Sequence, residues 1–448
     1  MSETTVTTPA QQRGVRLGYV VNALCAVIAI GLAVTAFVVI YRMAIDVPVW
    51  DEWAWARMIL AYHTGGLTFS ALWWQHNEHR MFFPNLVMLF LDSFGYWSQR
   101  RECLASVIVV TGSLWLYWRI AYRTLSVRSA CIVTAIGSLF LFSPSQSENW
   151  LQGFQTAWFM VDTAALGAAL CLAGTEWKPR QMVIAAACAV VAAYSSTFGL
   201  ALLPSVAAAL YLRRRTLGYR PLLQWTGISA VIIILYFVGW TPSDNTGVQS
   251  ASAIFSRVQG MLTVAGLPFG LGLGGSDMIS QSFGLVGIAL SAALFGMLVR
   301  EDDHVQLVRA APWIVTLGYG VVSSVLIGYG RAAYPGTSRY ITCSLMLWIG
   351  LAGLIAVRLP RKLPALNGVA IRFAAVAVLI FIGAFIGTWQ VGVQALASRE
   401  DYYRLENSII GNYKHAKDAE LATLYPDPNI VRDLGIPLQK IGQLPEMH

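Results

Sequence analysis

Residues 17–40, LGYVVNALCAVIAIGLAVTAFVVI, run for roughly 24 residues without a charge. That is enough to cross the roughly 30 Å of bilayer hydrocarbon as a helix and too long for the apolar core of a signal peptide, about 7 to 15 residues. The polar start, Met1 to Gln12, therefore leads into an uncleaved first membrane span. Further apolar runs recur near 102–119, 129–143, 156–173, 180–194, 198–212, 222–240, 282–299, 311–329, 341–357 and 373–393, which makes eleven. Two more are weaker: Met81 to Tyr96, broken by Pro84, Asn85 and Asp92, and Val258 to Gly275, rich in Gly and holding Pro268. Both read as interfacial or re-entrant. The sequence predicts an all-α polytopic membrane protein with about eleven transmembrane helices.

Composition agrees. Of 448 residues 56% are hydrophobic and 12% charged, and the mean hydropathy is +0.58; soluble domains carry roughly 25% charge. The net charge of +8 could suggest nucleic acid, but in such a chain Lys and Arg mark cytoplasmic loops and anionic headgroups, so nucleic acid is set aside and membrane lipids are the expected surroundings. The six cysteines lie in or beside apolar runs with no disulfide or zinc spacing.

Charge sets the orientation. With the N-terminus inside, cytoplasmic segments hold Arg119, Arg123, Arg128, Lys178, Arg180, Arg213, Arg214, Arg215, Arg220, Arg300, Arg309, Arg358, Arg361, Lys362 and Arg372, whereas loops 144–155 and 195–197 hold no basic residue. Making Met81 to Tyr96 a span would move two of these clusters outside. The first outer loop is then long, 42–101, within a membrane domain 1–393, and 394–448 forms a small outer helical tail.

That loop concentrates the polar residues. Trp50, Trp53, Trp55, Met58 and Ile59 suggest a helix with an aromatic edge at the membrane interface, and Met81 to Phe94 a second surface helix. Between them runs Gln75-His-Asn-Glu-His-Arg80. Asp51 and Glu52 suit the start of a helix, where acids favour the macrodipole, and equally a base at the lip of a water-filled cavity. His76, Glu78, His79 and Arg80 could ligate a divalent metal, hold a phosphate, or be a solvated loop. In the second outer loop, Ser143 to Gln155, Glu148 has Asn149, Gln152 and Gln155 beside it, amides suited to sugar hydroxyls. Gly330 to Tyr340 offers Arg331, Arg339 and Tyr340, either membrane anchors or a phosphate clamp. Asp244, Arg257 and Asp277 lie in a further outer segment, Thr241 to Gln281, and Asp162 is the one clear acid inside a span.

This order of parts resembles the GT-C superfamily of membrane glycosyltransferases, in which a catalytic acid follows the first span and a second acid lies between spans three and four. Asp51 and Glu148 fall at those positions. The strings Asp51-Glu-Trp53, Gln75 to Arg80, Gly330-Arg331 and Ser338-Arg-Tyr340 look like those of uncharacterised bacterial GT-C-like proteins. Two departures stand out: Ser147-Glu-Asn149 replaces a paired-acid motif, and the tail is small. The resemblance implies an inverting transferase in the bacterial inner membrane. It would move a sugar from a polyprenyl-phosphate donor to a hydroxyl of a glycan or lipid-linked glycan on the outer face. Asp51 would be the base, Glu148 would orient acceptor or sugar, Arg331 and Arg339 would hold the phosphate, and the Glu52, His76–Arg80, Asn149, Gln152 and Tyr340 side chains would shape the substrate site. A transporter or flippase for a lipid-linked sugar, or a lipid-linked glycan polymerase or ligase, are the competing readings; a transporter would place its charges within the membrane.

Overall fold

The computed structural model describes residues 9–242, 251–274, 277–358, 368–411 and 413–444. Asp244, Arg361 and Lys362 lie outside them. The described chain is helical apart from one two-stranded hairpin. In order it holds α1 (Pro9–Met43), α2 (Trp53–His63), α3 (Phe69–Leu72), the strands β1 (Gln75–His76) and β2 (His79–Arg80), α4 (Phe82–Asp92), α5 (Gln99–Thr124), α6 (Val127–Leu141), α7 (Ser147–Leu151), α8 (Thr156–Cys171), α9 (Pro179–Ala193) and α10 (Leu202–Leu212). The short α11 (Arg214–Leu217) leads to α12 (Arg220–Phe237), α13 (Ala251–Gly270), α14 (Asp277–Val299), α15 (His304–Gly330), α16 (Ile341–Arg358), α17 (Gly368–Gly411), α18 (Asp418–Leu424) and α19 (Pro428–Lys440).

Each of the eleven strong apolar runs is helical. Among the described residues eight helices are long and apolar enough to cross a membrane. The helices α8 and α9, of 16 and 15 residues, and the Thr197–Leu212 helix are shorter. They still run between the same two ends. At one end, Trp313 Nε1 donates to Thr124 Oγ1, Arg213 reaches the carbonyls of Leu172 and Thr175, Arg215 pairs with Asp302, and Arg358 pairs with Glu301 at 2.7 Å. These contacts gather the basic residues. At the other end the 42–101 segment meets the 144–155 turn, the Thr197 turn, the end of α12 and the Arg331–Tyr340 segment.

Small residues let the helices cross closely, as association in lipid requires. Gly320 and Gly350 each lie against the backbone of the facing helix at the α15–α16 crossing, and Gly353 lies under the Trp313 ring. The pair α13–α14 uses Gly266 and Gly284 in the same way.

The run near Val258, expected to be interfacial or re-entrant, is a 20-residue helix, α13. Arg257 near its start lies over Tyr329 and Gly272 just beyond its end donates to Thr388 Oγ1, so both ends stay near the end of the bundle that carries the 42–101 segment. Trp53 and Trp55 are buried rather than forming an interfacial edge, because α4 and the tail helix α19 cover α2. Of that group Trp50 alone is well exposed. Finally α17 continues unbroken through position 394 to Gly411, so the tail begins inside a helix that leaves the bundle. Beyond it, α18 and α19 fold back, and Gln443 Nε2 donates to Gly95 O at 3.4 Å.

The Gly contacts set a test. Gly320→Val would force the α15 and α16 backbones apart, an overpacking cost of about 1–3 kcal/mol or more. It is expected to lower the thermal midpoint of the detergent-solubilised protein, whereas Gly227→Ala, where a Cβ meets nothing within 4 Å, leaves it unchanged. Equal behaviour of the two variants would contradict the crossing.

Candidate active site

Asp51 lies in a single helical turn, Trp50–Glu52, between α1 and α2. Trp50 has φ 51°, a left-handed conformation uncommon for a bulky residue. Glu52 is 1% exposed and points away from the cavity that Asp51 faces. Its Oε1 accepts from Gln99 Nε2 at 2.8 Å and Phe154 N at 3.3 Å, and its Oε2 from Val49 N at 3.3 Å. Burial outweighs these bonds and pushes its carboxyl up to about 7. Beside it, the buried Glu102 of α5 accepts from Trp97 Nε1 at 3.0 Å. Asp46, which the sequence did not single out, accepts from Ser98 Oγ at 2.6 Å and Arg100 N at 3.0 Å. Expected to touch substrate, Glu52 instead fixes the Asp51 turn to the second loop and to α5.

The hairpin forms because Asn77 takes φ 48° and pairs Gln75 with Arg80 and His76 with His79. Arg80 also departs from expectation. Its buried guanidinium donates to the carbonyls of Trp73 (3.1 Å), Tyr236 (3.3 Å) and Val238 (2.6 Å), so it locks the hairpin to the end of α12. The Glu78 carbonyl adds to this, accepting from Tyr236 Oη at 2.6 Å and Thr197 Oγ1 at 2.7 Å.

Locked in this way, the hairpin presents His76 and His79 to a cavity of about 420 Å³, lined also by Asp51, Asn77, Arg331, Tyr334, Arg339 and Tyr340, with Phe154, Trp158 and Phe198 as apolar walls. His76 Nε2 is 3.7 Å from Asp51 Oδ2, ion-pair rather than hydrogen-bond distance, and its ring packs against Trp55, Trp74 and Phe154. Thr197 N donates to His79 Nδ1 at 3.2 Å, which puts the proton of the neutral ring on Nε2. Burial first, with the positive charge of Arg331 adding to it, holds His79 down at about 4, against the pull of Glu78. His79 is therefore neutral at pH 7. Arg331 pairs with Glu78 Oε1 at 2.5 Å, and Glu78 is 3.6 Å from His79 Nε2. Burial raises the Glu78 carboxyl, yet the Arg331 guanidinium bonded to it helps hold it below its ordinary value.

A second cavity of about 480 Å³ adjoins the first and shares Trp50, Asp51, Thr337 and Arg339 with it. Glu148, Gln152, Ser398 and Arg399 complete it, and Arg339 Nε is 3.6 Å from Glu148 Oε2. Asn149 is turned away: its buried Nδ2 donates to Arg339 O at 2.8 Å and Thr342 Oγ1 at 2.6 Å, fixing the Arg339 segment from behind. The Asp51 side chain is 39% exposed between the two cavities. Burial pushes its carboxyl up, yet His76 and the Arg339 charge hold it below its ordinary value.

Of the residues expected at the site, Asp51, His76, His79, Glu148, Gln152, Arg331, Arg339 and Tyr340 line the paired cavities, with Glu78 directly behind. Glu52, Arg80 and Asn149 do not; they hold the segments that do. Tyr334 and Thr337 were within reach of the reading, since they lie in the Gly330–Tyr340 string. Ser196, from the turn before Thr197, and Arg399, from α17, arrive from distant segments and carry no local signal.

The residues do not fit a resident metal. No group of three His, Cys, Asp or Glu side chains among the described residues is placed to hold one, and His79 Nδ1 is already engaged by Thr197. No protein-family model matches this chain, and no curated protein matches it.

Glu52 gives a pH test. Its folded value lies above that of a free carboxyl, so the folded protein keeps a proton that the unfolded chain releases between about pH 4.5 and 7. Ionisation of Glu52 therefore lowers stability as pH rises through that window. Glu52→Gln keeps one oxygen acceptor and cannot ionise, so its thermal midpoint should gain on the wild type from pH 4.5 to 7. A difference between the two proteins that does not vary with pH would contradict the burial argument.

Proposed function

We propose that the protein is a membrane glycosyltransferase that moves a sugar from a polyprenyl-phosphate donor to a hydroxyl acceptor, with Asp51 as general base. One observation carries this reading: a part-exposed, ionised carboxylate stands between two cavities, with Arg331 and the Nε2–H of His79 on one side of it and Arg339 shared between the two.

The chemistry needs little else. An acceptor O–H hydrogen-bonds Asp51, which takes its proton as the oxygen attacks the anomeric carbon. The new C–O bond forms while the bond from that carbon to the phosphate oxygen breaks, and the electron pair leaves with the phosphate. Arg331, Arg339 and His79 Nε2–H stabilise the departing charge. Attack opposite the leaving group inverts the anomeric centre. Glu78 holds the Arg331 fork in place, and His76 and Arg339 keep Asp51 ionised.

A lipid donor also needs room for its tail. A groove of about 1050 Å³ lies between α9 and α12, lined mainly by apolar side chains such as Met182, Val190, Ile228 and Val231, and it reaches Phe82, Phe83 and Tyr194. Those residues adjoin Met81 and Ser196, which line the site. In this reading all eleven apolar helices cross a bacterial inner membrane. The Lys- and Arg-bearing end then faces the cytoplasm by the positive-inside rule, and the site faces outward.

The transport reading draws on Asp162, an acid inside the bundle. Asp162 is buried and accepts from Tyr319 Oη at 2.9 Å, a pairing that serves packing. The other ionisable groups gathered at the bundle end favour catalysis.

Transfer of radiolabelled sugar from a panel of polyprenyl-phosphate sugars by the purified protein tests the proposal. Asp51→Asn is expected to lower turnover by about 10²-fold or more, the usual worth of a general base, with donor binding retained. Because Asp51 is held below its ordinary value, wild-type turnover should persist through the ordinary carboxylate range and fall only on its acid side. Donor binding without turnover by wild type would favour the transporter instead.

A further inference from the structure

We infer that the second cavity, between the Glu148 turn and α17, is a carbohydrate-binding subsite that holds the acceptor as a glycan. The inference rests on the transferase reading and names the acceptor class within it. Its basis is the contrast between the two cavities that meet at Asp51 and Arg339.

The first is walled by Met81, Phe154, Trp158 and Phe198 behind its charged groups. The second has no aliphatic lining: beyond Asp51 and Arg339 it is built from Trp50, Glu148, Gln152, Thr337, Ser398 and Arg399. A lipid acceptor needs apolar walls, and a peptide acceptor needs pockets for its apolar side chains. A sugar needs paired hydrogen-bonding groups for its hydroxyls and one flat aromatic face for its C–H surface. This cavity supplies two carboxylates, an amide, two hydroxyls and two guanidinium groups around a single indole.

The indole is held for exposure. Trp50 is 44% exposed and its backbone takes φ 51°, a conformation that costs on the order of 1–3 kcal/mol for a bulky residue and clusters at functional sites. The amide is oriented too: Gln155 Nε2 donates to Gln152 Oε1 at 3.2 Å, which fixes the carboxamide plane and leaves the Gln152 NH₂ group as donor. Glu148 stays 3.6 Å from Arg339, and Arg339 Nε, although buried, has no hydrogen-bond partner. An acceptor hydroxyl in this cavity reaches Asp51 while the donor phosphate fills the first. The proton thus leaves on one side of the anomeric carbon and the phosphate on the other.

Direct binding tests this without turnover. Saturation-transfer NMR on the full chain in nanodiscs would measure a panel of neutral methyl glycosides and linear oligosaccharides, and sugar-free polyprenyl phosphate would be titrated in parallel. Trp50→Ala and Gln152→Ala are each expected to weaken the bound saccharide by about tenfold, with Trp50→Phe restoring much of the loss. Polyprenyl phosphate binding is expected to survive in Gln152→Ala, whose side chain lines the second cavity alone, and to weaken in Arg331→Ala, which keeps its saccharide binding. No saccharide binding across the panel, or binding indifferent to Trp50 and Gln152, overturns the subsite. Polyprenyl phosphate that does not bind, or binds regardless of Arg331, would instead count against the transferase reading itself.

Discussion

The carboxyl of Glu52 accepts hydrogen bonds from three separate segments: Val49 before the Asp51 turn, Phe154 in the second turn, and Gln99 at the start of α5. These segments lie far apart in sequence, and the start of α5 also packs against the Gly153–Gln155 turn. In an environment that excludes water, an unsatisfied N–H costs about 1–3 kcal/mol. The cheapest arrangement for all three is to meet at one buried acceptor. Asp51 is the next residue along the chain, so its position follows from that meeting. A carboxyl that titrates near neutrality is the accompanying cost.

The same logic separates the polar residues at this end of the bundle into two groups. Arg80 spends its guanidinium on three backbone carbonyls, Asn149 spends its amide on the Arg339 segment, and Gln75 binds Thr241. These side chains satisfy backbone groups where helices end, a need that is acute near lipid. What is left over faces the cavities: Asp51, His76, His79, Glu148, Arg331 and Arg339. The acids and bases there are nearly balanced, with Glu78 on Arg331 and Glu148 near Arg339. A balanced site of this kind recognises an anion by geometry more than by bulk charge.

The helices could be read from the sequence because each apolar run lies at the heart of a helix, and the basic residues recur at alternate ends. Asp51, the two histidines and the two arginines were legible because charge is scarce in this chain and those residues cluster. The division between lining and supporting residues was not. Glu52 differs from Asp51 by one position, and a turn in a 3-10 conformation sends neighbouring side chains about 120° apart, so one faces the cavity and the other the interior, which no local pattern announces. The burial of Trp53 and Trp55 was hidden for a related reason. It depends on α19, nearly four hundred residues away, whose Val431, Leu434 and Leu438 are buried as the tail folds back. The length of α13 was obscured by glycines that are there for close packing against α14.

In the proposed reaction Asp51 as base and the arginines as phosphate clamp act on opposite sides of one anomeric carbon, and the hairpin, the Arg331 ion pair and the Glu52 anchor hold their segments in place. The anomeric configuration of the product tests that claim most directly. With a donor of defined anomeric configuration, NMR of the first product should show complete inversion, because a single in-line displacement leaves no other outcome. Retention of configuration would contradict it, since retention requires a second displacement and a nucleophile that this arrangement does not provide.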